Sequence, residues 1–300
     1  MFEQGFYDRL GFATLGYTLH ASFDPAHLRV PRLTRPPLRL SGDDITEIHS
    51  NRVRRLRGHG SVSFDAAEFS RAELMLDPEC ASSFFLGFRD GPSGRLSHHL
   101  LARAKGENGP YTVGWMGYET GGQLIELLSV LRSLGDQVRQ VKMAEPPQLQ
   151  IQDLIDRPFR TQMVSRGGEM DQRFDTCAES QIRILDLQAC LAATSCPVKI
   201  ELNLVVEDPV AEHLDGDGWR GVGGDYRLRL GERCEVTVAA VDPALPTLRI
   251  GVGALSRMWI GSRSASSLAL TDQLEAPDDL LAALDVAFLP PASPHYDWMF

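Results

Sequence analysis

Cysteine is scarce in this chain of 300 residues: there are five, Cys80, Cys177, Cys190, Cys196 and Cys234, with no CxxC spacing among them. An odd count without that spacing argues against a disulfide framework and against a zinc site. It fits reduced thiols in a cytoplasm, buried as small hydrophobes. Basic charge is in deficit too. Lys and Arg number 30 against 40 Asp and Glu, for a formal net charge of −10. That balance argues against a nucleic-acid partner, because affinity for a phosphate backbone comes from clustered cations. No apolar stretch approaches the roughly 18 residues of a membrane span. The N-terminus lacks the cationic and apolar regions of a signal peptide. Nucleophile elbow, Walker loop and metal-ligand spacing are all missing. His98 and His99 are adjacent on an expected strand, so they point to opposite faces and do not share an ion. These absences predict a cytoplasmic protein with no nucleic-acid, membrane or metal partner.

What is present is ordinary globular composition, 43 % hydrophobic and 23 % charged. The length predicts two domains or three small ones. The chain opens on Gly5-Phe6-Tyr7-Asp8-Arg9-Leu10-Gly11-Phe12. It reads as a short helix with Phe6, Tyr7 and Leu10 on one side, a glycine stop at Gly11, and a strand over residues 12–19 rich in aromatic and β-branched side chains. A linking strand ends near Val30, and Pro31, Pro36 and Pro37 then break regular structure.

From Leu38 a new unit begins. Ser41-Gly42-Asp43-Asp44 is a helix-start signal, and Ile45, Ile48, Val53 and Leu56 carry helical spacing through a basic run, Arg52 to Arg57. That run reads as the solvated face of a helix, with an anion patch as the alternative. A second helix spans 64–76. Strands are expected over 83–88, 98–103 and 111–118, then a helix over 121–134 with Leu124, Leu127, Leu128 and Leu131 on one face. Thr120 and Gln123 form its capping box, and a strand over 138–143 follows.

A short helix over 148–158 and the glycines of Arg166-Gly167-Gly168 mark a boundary near residue 170. The last unit begins with a strand over 181–186 and a helical turn over 187–193. Alternation of Val198, Ile200, Leu202, Leu204 and Val206 predicts a strand. After a glycine-rich turn, residues 225–230, Cys234 to Val238 and Leu248 to Val252 continue an antiparallel sheet. A helical tail over 256–288 is split near Gly261 and Pro277.

The opening stretch resembles the segment that closes the catalytic fold of GNAT acetyltransferases, an aromatic pair followed by Leu-Gly-Phe. The order of strands around the helix at 121–134 is similar to a second, degenerate GNAT copy. Leu248-Arg249-Ile250, Ala254-Leu255-Ser256-Arg257-Met258-Trp259-Ile260-Gly261 and Ser264-Ala265-Ser266-Ser267-Leu268-Ala269 resemble the sterol-carrier-protein-like C-terminal domain of the Eis (enhanced intracellular survival) family. Residues 280–288, Pro294-His295-Tyr296 and the terminal Phe300 resemble the same tail. The resemblance implies α/β and α+β architecture: a GNAT-like mixed-sheet domain followed by a sterol-carrier-protein-like α+β domain. The expected division is 1–32 as the remnant of a catalytic GNAT domain, 33–172 as the degenerate GNAT-like domain and 173–300 as the sterol-carrier-like domain.

The family likeness further implies acetyl-CoA as co-substrate and an amine acceptor, aminoglycoside- or polyamine-like. It also implies a homo-oligomer, hexameric in the family. By the same resemblance Tyr7 corresponds to the general acid, and the α-carboxylate of Phe300 to the general base. The early strands, acetyl-CoA loop and substrate-lining aromatics of the family's catalytic domain have no counterpart before Met1. The expectation is therefore that the chain begins inside a longer frame and does not bind the cofactor by itself. The join at residues 116–122 has glycines without the family's phosphate-loop spacing, and Glu119 there opposes a phosphate. Two alternatives stay open. One is a non-catalytic homologue. The other is a lipid- or sterol-binding protein, with Leu255, Trp259, Leu268 and Leu284 lining a tunnel.

Overall fold

The computed structural model describes residues 4–75, 82–156, 172–178, 180–215, 218–290, 292–295 and 298. The chain divides into two compact units, Met1–Tyr17 with Ala178–Pro294, and Thr18–Cys177 with His295–Phe300.

Helix α1 (Gln4–Asp8) ends as expected at Gly11, whose φ of 78° is the left-handed conformation a helix stop requires. The strand expected over 12–19 is two strands. β1 (Ala13–Thr14) pairs with β9 (Gln181–Ile182), whereas β2 (Thr18–Phe23) enters another sheet. The bounds therefore differ from those expected at 32 and 172. Residues 18–32 and the strand at 173–177 belong to the middle unit, because β2 pairs with both of its neighbours there. The expected boundary at Arg166-Gly167-Gly168 lies outside the described residues.

The middle unit is a mixed sheet with helices on both faces. Its elements are β3 (Leu38–Leu40), α2 (Ile45–Arg54), α3 (Ala67–Met75), β4 (Ser83–Asp90), β5 (Arg95–Ala104), β6 (Tyr111–Gly117), α4 (Gly121–Ser133), β7 (Val141–Ala144) and β8 (Arg173–Cys177). The seven strands run β3-β4-β5-β6-β7-β2-β8, antiparallel except where α4 carries the chain across to make β6 and β7 parallel. Both expected capping boxes form, Ser41 with Asp44 and Thr120 with Gln123. Leu124, Leu127, Leu128 and Leu131 of α4 pack on Phe88, Leu100, Ala102 and Val113. On the other face Ile45 and Ile48 of α2 meet Phe85, Leu96, Leu101 and Trp115. With both faces covered, β5 is buried almost throughout, which explains its near-continuous apolar run.

Two irregularities re-aim side chains in this sheet. Phe88 pairs with His98 and Arg89 with Leu96, so Ser97 is an extra residue. Leu101 pairs with Trp115 and Ala102 with Val113, so Gly114 is another. The second bulge places Val113 and Trp115 in different cores although they are two residues apart.

The other unit continues from β9 with α5 (Leu187–Ala192), β10 (Ile200–Glu207), β11 (Gly224–Leu230), β12 (Glu235–Val238), β13 (Thr247–Gly251), α6 (Val252–Trp259), α7 (Ala265–Thr271), β14 (Leu274–Glu275) and α8 (Asp278–Ala287). Its five-stranded sheet runs β12-β11-β10-β13-β14. The expected wholly antiparallel sheet is corrected at one joint, since β10 and β13 run parallel. The crossover after β12 returns the chain alongside β10 in the same direction, a long-range choice that local pattern does not encode. Leu202, Leu204 and Val206 face inward as their alternation predicts, against Leu255, Met258, Leu268, Leu280 and Leu284. Among the described residues no helix is long and apolar enough to cross a membrane.

Candidate functional site

Tyr7 is half-buried near the end of α1, and its ring meets Phe6 and Phe12 edge-on at 5.4 and 5.7 Å. Its carbonyl accepts from the N–H groups of Leu10 and Phe12, closing the turn at Gly11. The segment is pinned by Arg183. That guanidinium donates to the Leu10 carbonyl and, at 2.9 and 2.7 Å, to both oxygens of Asp208. Both side chains of this pair are buried, 2 % and 0 % exposed. Asp208 also accepts from the backbone of Val210 and Val222, so its lone pairs are well used. The sequence signal for this anchor was absent, because Arg183 and Asp208 sit on different elements of a late domain.

Phe300, the expected partner of Tyr7, lies outside the described residues, as does Tyr296. Two residues before the end, Trp298 is buried, and the surroundings that bury it were missed in the sequence. The basic run supplies them. Arg52 and Arg55 are 2 % and 5 % exposed, which corrects the expectation of a solvated face. The guanidinium of Arg52 lies 3.7 Å from the centroid of Trp115 and 4.0 Å from that of Trp298. Glu73 neutralises it through bonds of 2.5 and 3.1 Å. Arg55 stands 5.1 Å from Trp298 and donates to Val62 O, Ser63 Oγ and Arg52 O. The dense aromatic ending of the sequence was the one available hint.

The histidine pair divides as expected between the two faces. His98 stacks on Phe88 and meets Glu126 at 2.9 Å through Nε2 and Ser97 Oγ at 2.9 Å through Nδ1. Arg35 clamps Glu126 and Asp90 with four hydrogen bonds of 2.7–3.2 Å. That clamp is the main reason Asp90 is held down at about 2 and Glu126 below its ordinary value. Burial lowers the pKa of His98 despite these carboxylates. On the other face His99 bonds Asn51 Oδ1 at 2.6 Å and accepts from Trp115 Nε1 at 3.2 Å. Burial, aided by Arg52, drives His99 down to about 3. No group of His, Cys, Asp or Glu among the described residues is arranged to hold a metal.

The join between β6 and α4 does not fit a pyrophosphate. Gln123 Oε1 accepts from the backbone N–H groups of Glu119 and Thr120, and Thr120 Oγ1 accepts from that of Gln123. The donors that an anion needs at a helix start are thus engaged. The Glu119 carboxylate adds negative charge there, paired with Arg54 at 3.1 Å and Arg95 at 3.4 Å. In the other unit Leu255, Leu268 and Leu284 are consumed by the core, with Trp259 packed against it, rather than lining a tunnel. The thiols of Cys177, Cys190, Cys196 and Cys234 are free, and burial raises that of Cys196 to about 12.

Residues 187–297 match the family of the sterol carrier protein domain. No curated protein matches the chain in sequence. Among solved structures, a probable N-acyltransferase from Enterococcus faecalis has a TM-score of 0.76 at 17 % identity, covering 100 % of this chain and 71 % of its own. A GCN5-related N-acetyltransferase from Kribbella flavida gives 0.66 at 19 % identity, over 99 % of this chain and 68 % of its own. Eis1 from Mycobacterium abscessus gives 0.68 at 15 % identity, over 100 % and 72 %. The chain thus has the fold of GCN5-related N-acetyltransferases, Eis1 among them, with a sterol carrier protein domain over residues 187–297.

Proposed function

We propose that the protein is an acetyl-CoA-dependent N-acetyltransferase of the Eis type, acting on cationic amines such as polyamines or aminoglycosides. The observation that carries the reading is the fold likeness over the whole chain, joined to the family's aromatic-Leu-Gly-Phe turn at Tyr7. A bond forms between the amine nitrogen and the acetyl carbon while the carbon–sulfur bond breaks. The proton of the attacking nitrogen goes to the α-carboxylate of Phe300, and the departing thiolate takes the proton of the Tyr7 hydroxyl. An α-carboxylate has a pKa of about 3.5, so it is ionised at neutral pH and attracts a cation. The net charge of −10 favours the same substrates at longer range. On this reading acetyl-CoA is held elsewhere than at the β6–α4 join, the protein works as a homo-oligomer, and the free thiols suit the cytoplasm.

The test is acetyl transfer from acetyl-CoA to spermidine and to an aminoglycoside, followed by mass spectrometry of the amine. Transfer that slows by about 10²-fold or more in Tyr7→Phe supports the reading. No transfer to any amine, with tight binding of a fatty acid or sterol instead, would replace it with the carrier reading.

A further inference from the structure

Chain ends usually fray, yet Trp298, two residues from the C-terminus, is 1 % exposed. It is held from several sides. The Arg52 guanidinium is stacked between its ring and that of Trp115. His49 and Phe64 meet it edge-on at 5.7 and 5.5 Å. Each of these neighbours is itself fixed. Ser70 Oγ and the Asp65 carbonyl hold His49 at 3.0 Å each, Ser70 and Glu73 hold Arg52, and Phe64 stacks on Phe69 at 4.6 Å. Three residues earlier the His295 N–H donates to the His59 carbonyl at 2.8 Å. All these groups belong to the single unit of Thr18–Cys177 with His295–Phe300.

We propose that Trp298 is a positioning residue, seated by Arg52, Trp115, His49 and Phe64 so that the α-carboxylate two residues on has a fixed place. The proposal rests on the reading of that carboxylate as the base. Two residues reach about 7 Å at most, so a seated Trp298 confines the carboxylate to a small volume. A general base must come within hydrogen-bond reach of its proton, and a displacement of about 1 Å can cost on the order of 10²-fold in rate. An unseated tail would leave the carboxylate intact but wandering.

The test uses the full chain as wild type, Trp298→Ala and Trp298→Phe, with circular dichroism to verify folding. Carboxypeptidase release of Phe300 and Met299 reads the seat without reference to activity. Release at least about tenfold faster in Trp298→Ala, and near the wild-type rate in Trp298→Phe, is expected. In amine acetylation kcat falls about 10- to 100-fold in Trp298→Ala with KM nearly unchanged, and Trp298→Phe restores most of it. Equal release from wild type and Trp298→Ala would overturn the seat. Faster release with unchanged kcat would overturn the positioning role. Should the wild type acetylate nothing, the underlying functional reading and the positioning role fall together, while the carboxypeptidase result still upholds or overturns the seat.

Discussion

Trp115 donates its indole N–H to Nε2 of His99 at 3.2 Å, and this bond sets the protonation state of a fully buried imidazole. Nε2 accepts, so the ring proton sits on Nδ1, where it is donated to Asn51 Oδ1. A second proton would set two N–H groups against each other beside the Arg52 cation. His99 therefore binds its proton far less readily folded, at about 3, than unfolded, at about 6.5. Between those values the unfolded state carries more protons, so stability is complete above pH 6.5 and is lost as pH falls toward 3. Denaturant titrations at a series of pH values should show this slope, and it should shrink in His99→Gln. An identical slope in the variant would show that other groups carry the acid sensitivity.

The Arg35 clamp gives a second acid signature, lower on the pH scale. Asp90 is depressed to about 2 from 3.8, so its contribution is full above 3.8 and is lost as pH falls through about 2. Arg35 and Asp90 are each 39 % exposed, so the contribution is small, about 0.5–1 kcal/mol after screening. In Arg35→Met the Asp90 carboxyl should titrate close to an ordinary aspartate by carbon-detected NMR. An Asp90 still titrating near 2 would assign the depression to Ser97 instead.

The Arg183–Asp208 pair should be the most sensitive anchor of the opening segment. Arg183→Met leaves a buried carboxylate without its cation, which costs about 3–5 kcal/mol in such pairs. Adding Asp208→Asn should recover part of that loss, and a double-mutant cycle by chemical denaturation measures the coupling. A loss below about 1 kcal/mol in Arg183→Met would contradict the burial of this pair.

Gly11 faces the same guanidinium. A methyl group there would come within 2.2 Å of Arg183 Nη1 and 2.5 Å of Val252 Cγ1, on a backbone already at φ 78°. Gly11→Ala should lose at least about 1–2 kcal/mol from the backbone alone, and more if Arg183 is displaced from Asp208. A thermal melt matching wild type would mean that the turn relaxes freely.

The local parts of this fold were legible. Ser41 with Asp44, Thr120 with Gln123, the leucine face of α4 and the alternation through Leu202 and Leu204 each obey a rule spanning a few residues. Readings failed where a distant partner decides the outcome. Arg52 looked solvated because the aromatic that covers it comes 246 residues later in the chain. Val113 and Trp115 looked like neighbours on one face until the extra residue at Gly114 separated them. The strand through Leu15 looked continuous, yet its halves pair with strands from different units. Of the two expected site residues, Tyr7 stands in a turn recognisable from Gly11, whereas Phe300 lies outside the described residues.

The most direct test of the proposed chemistry is the rate of amine acetylation with the native C-terminus against the rate with one glycine added after Phe300. The addition turns the α-carboxylate of Phe300 into a neutral amide and moves the new carboxylate up to about 3.6 Å away. The account predicts a loss of about 10²-fold or more in kcat with folding unchanged. An extended protein that acetylates amines at the native rate would contradict it.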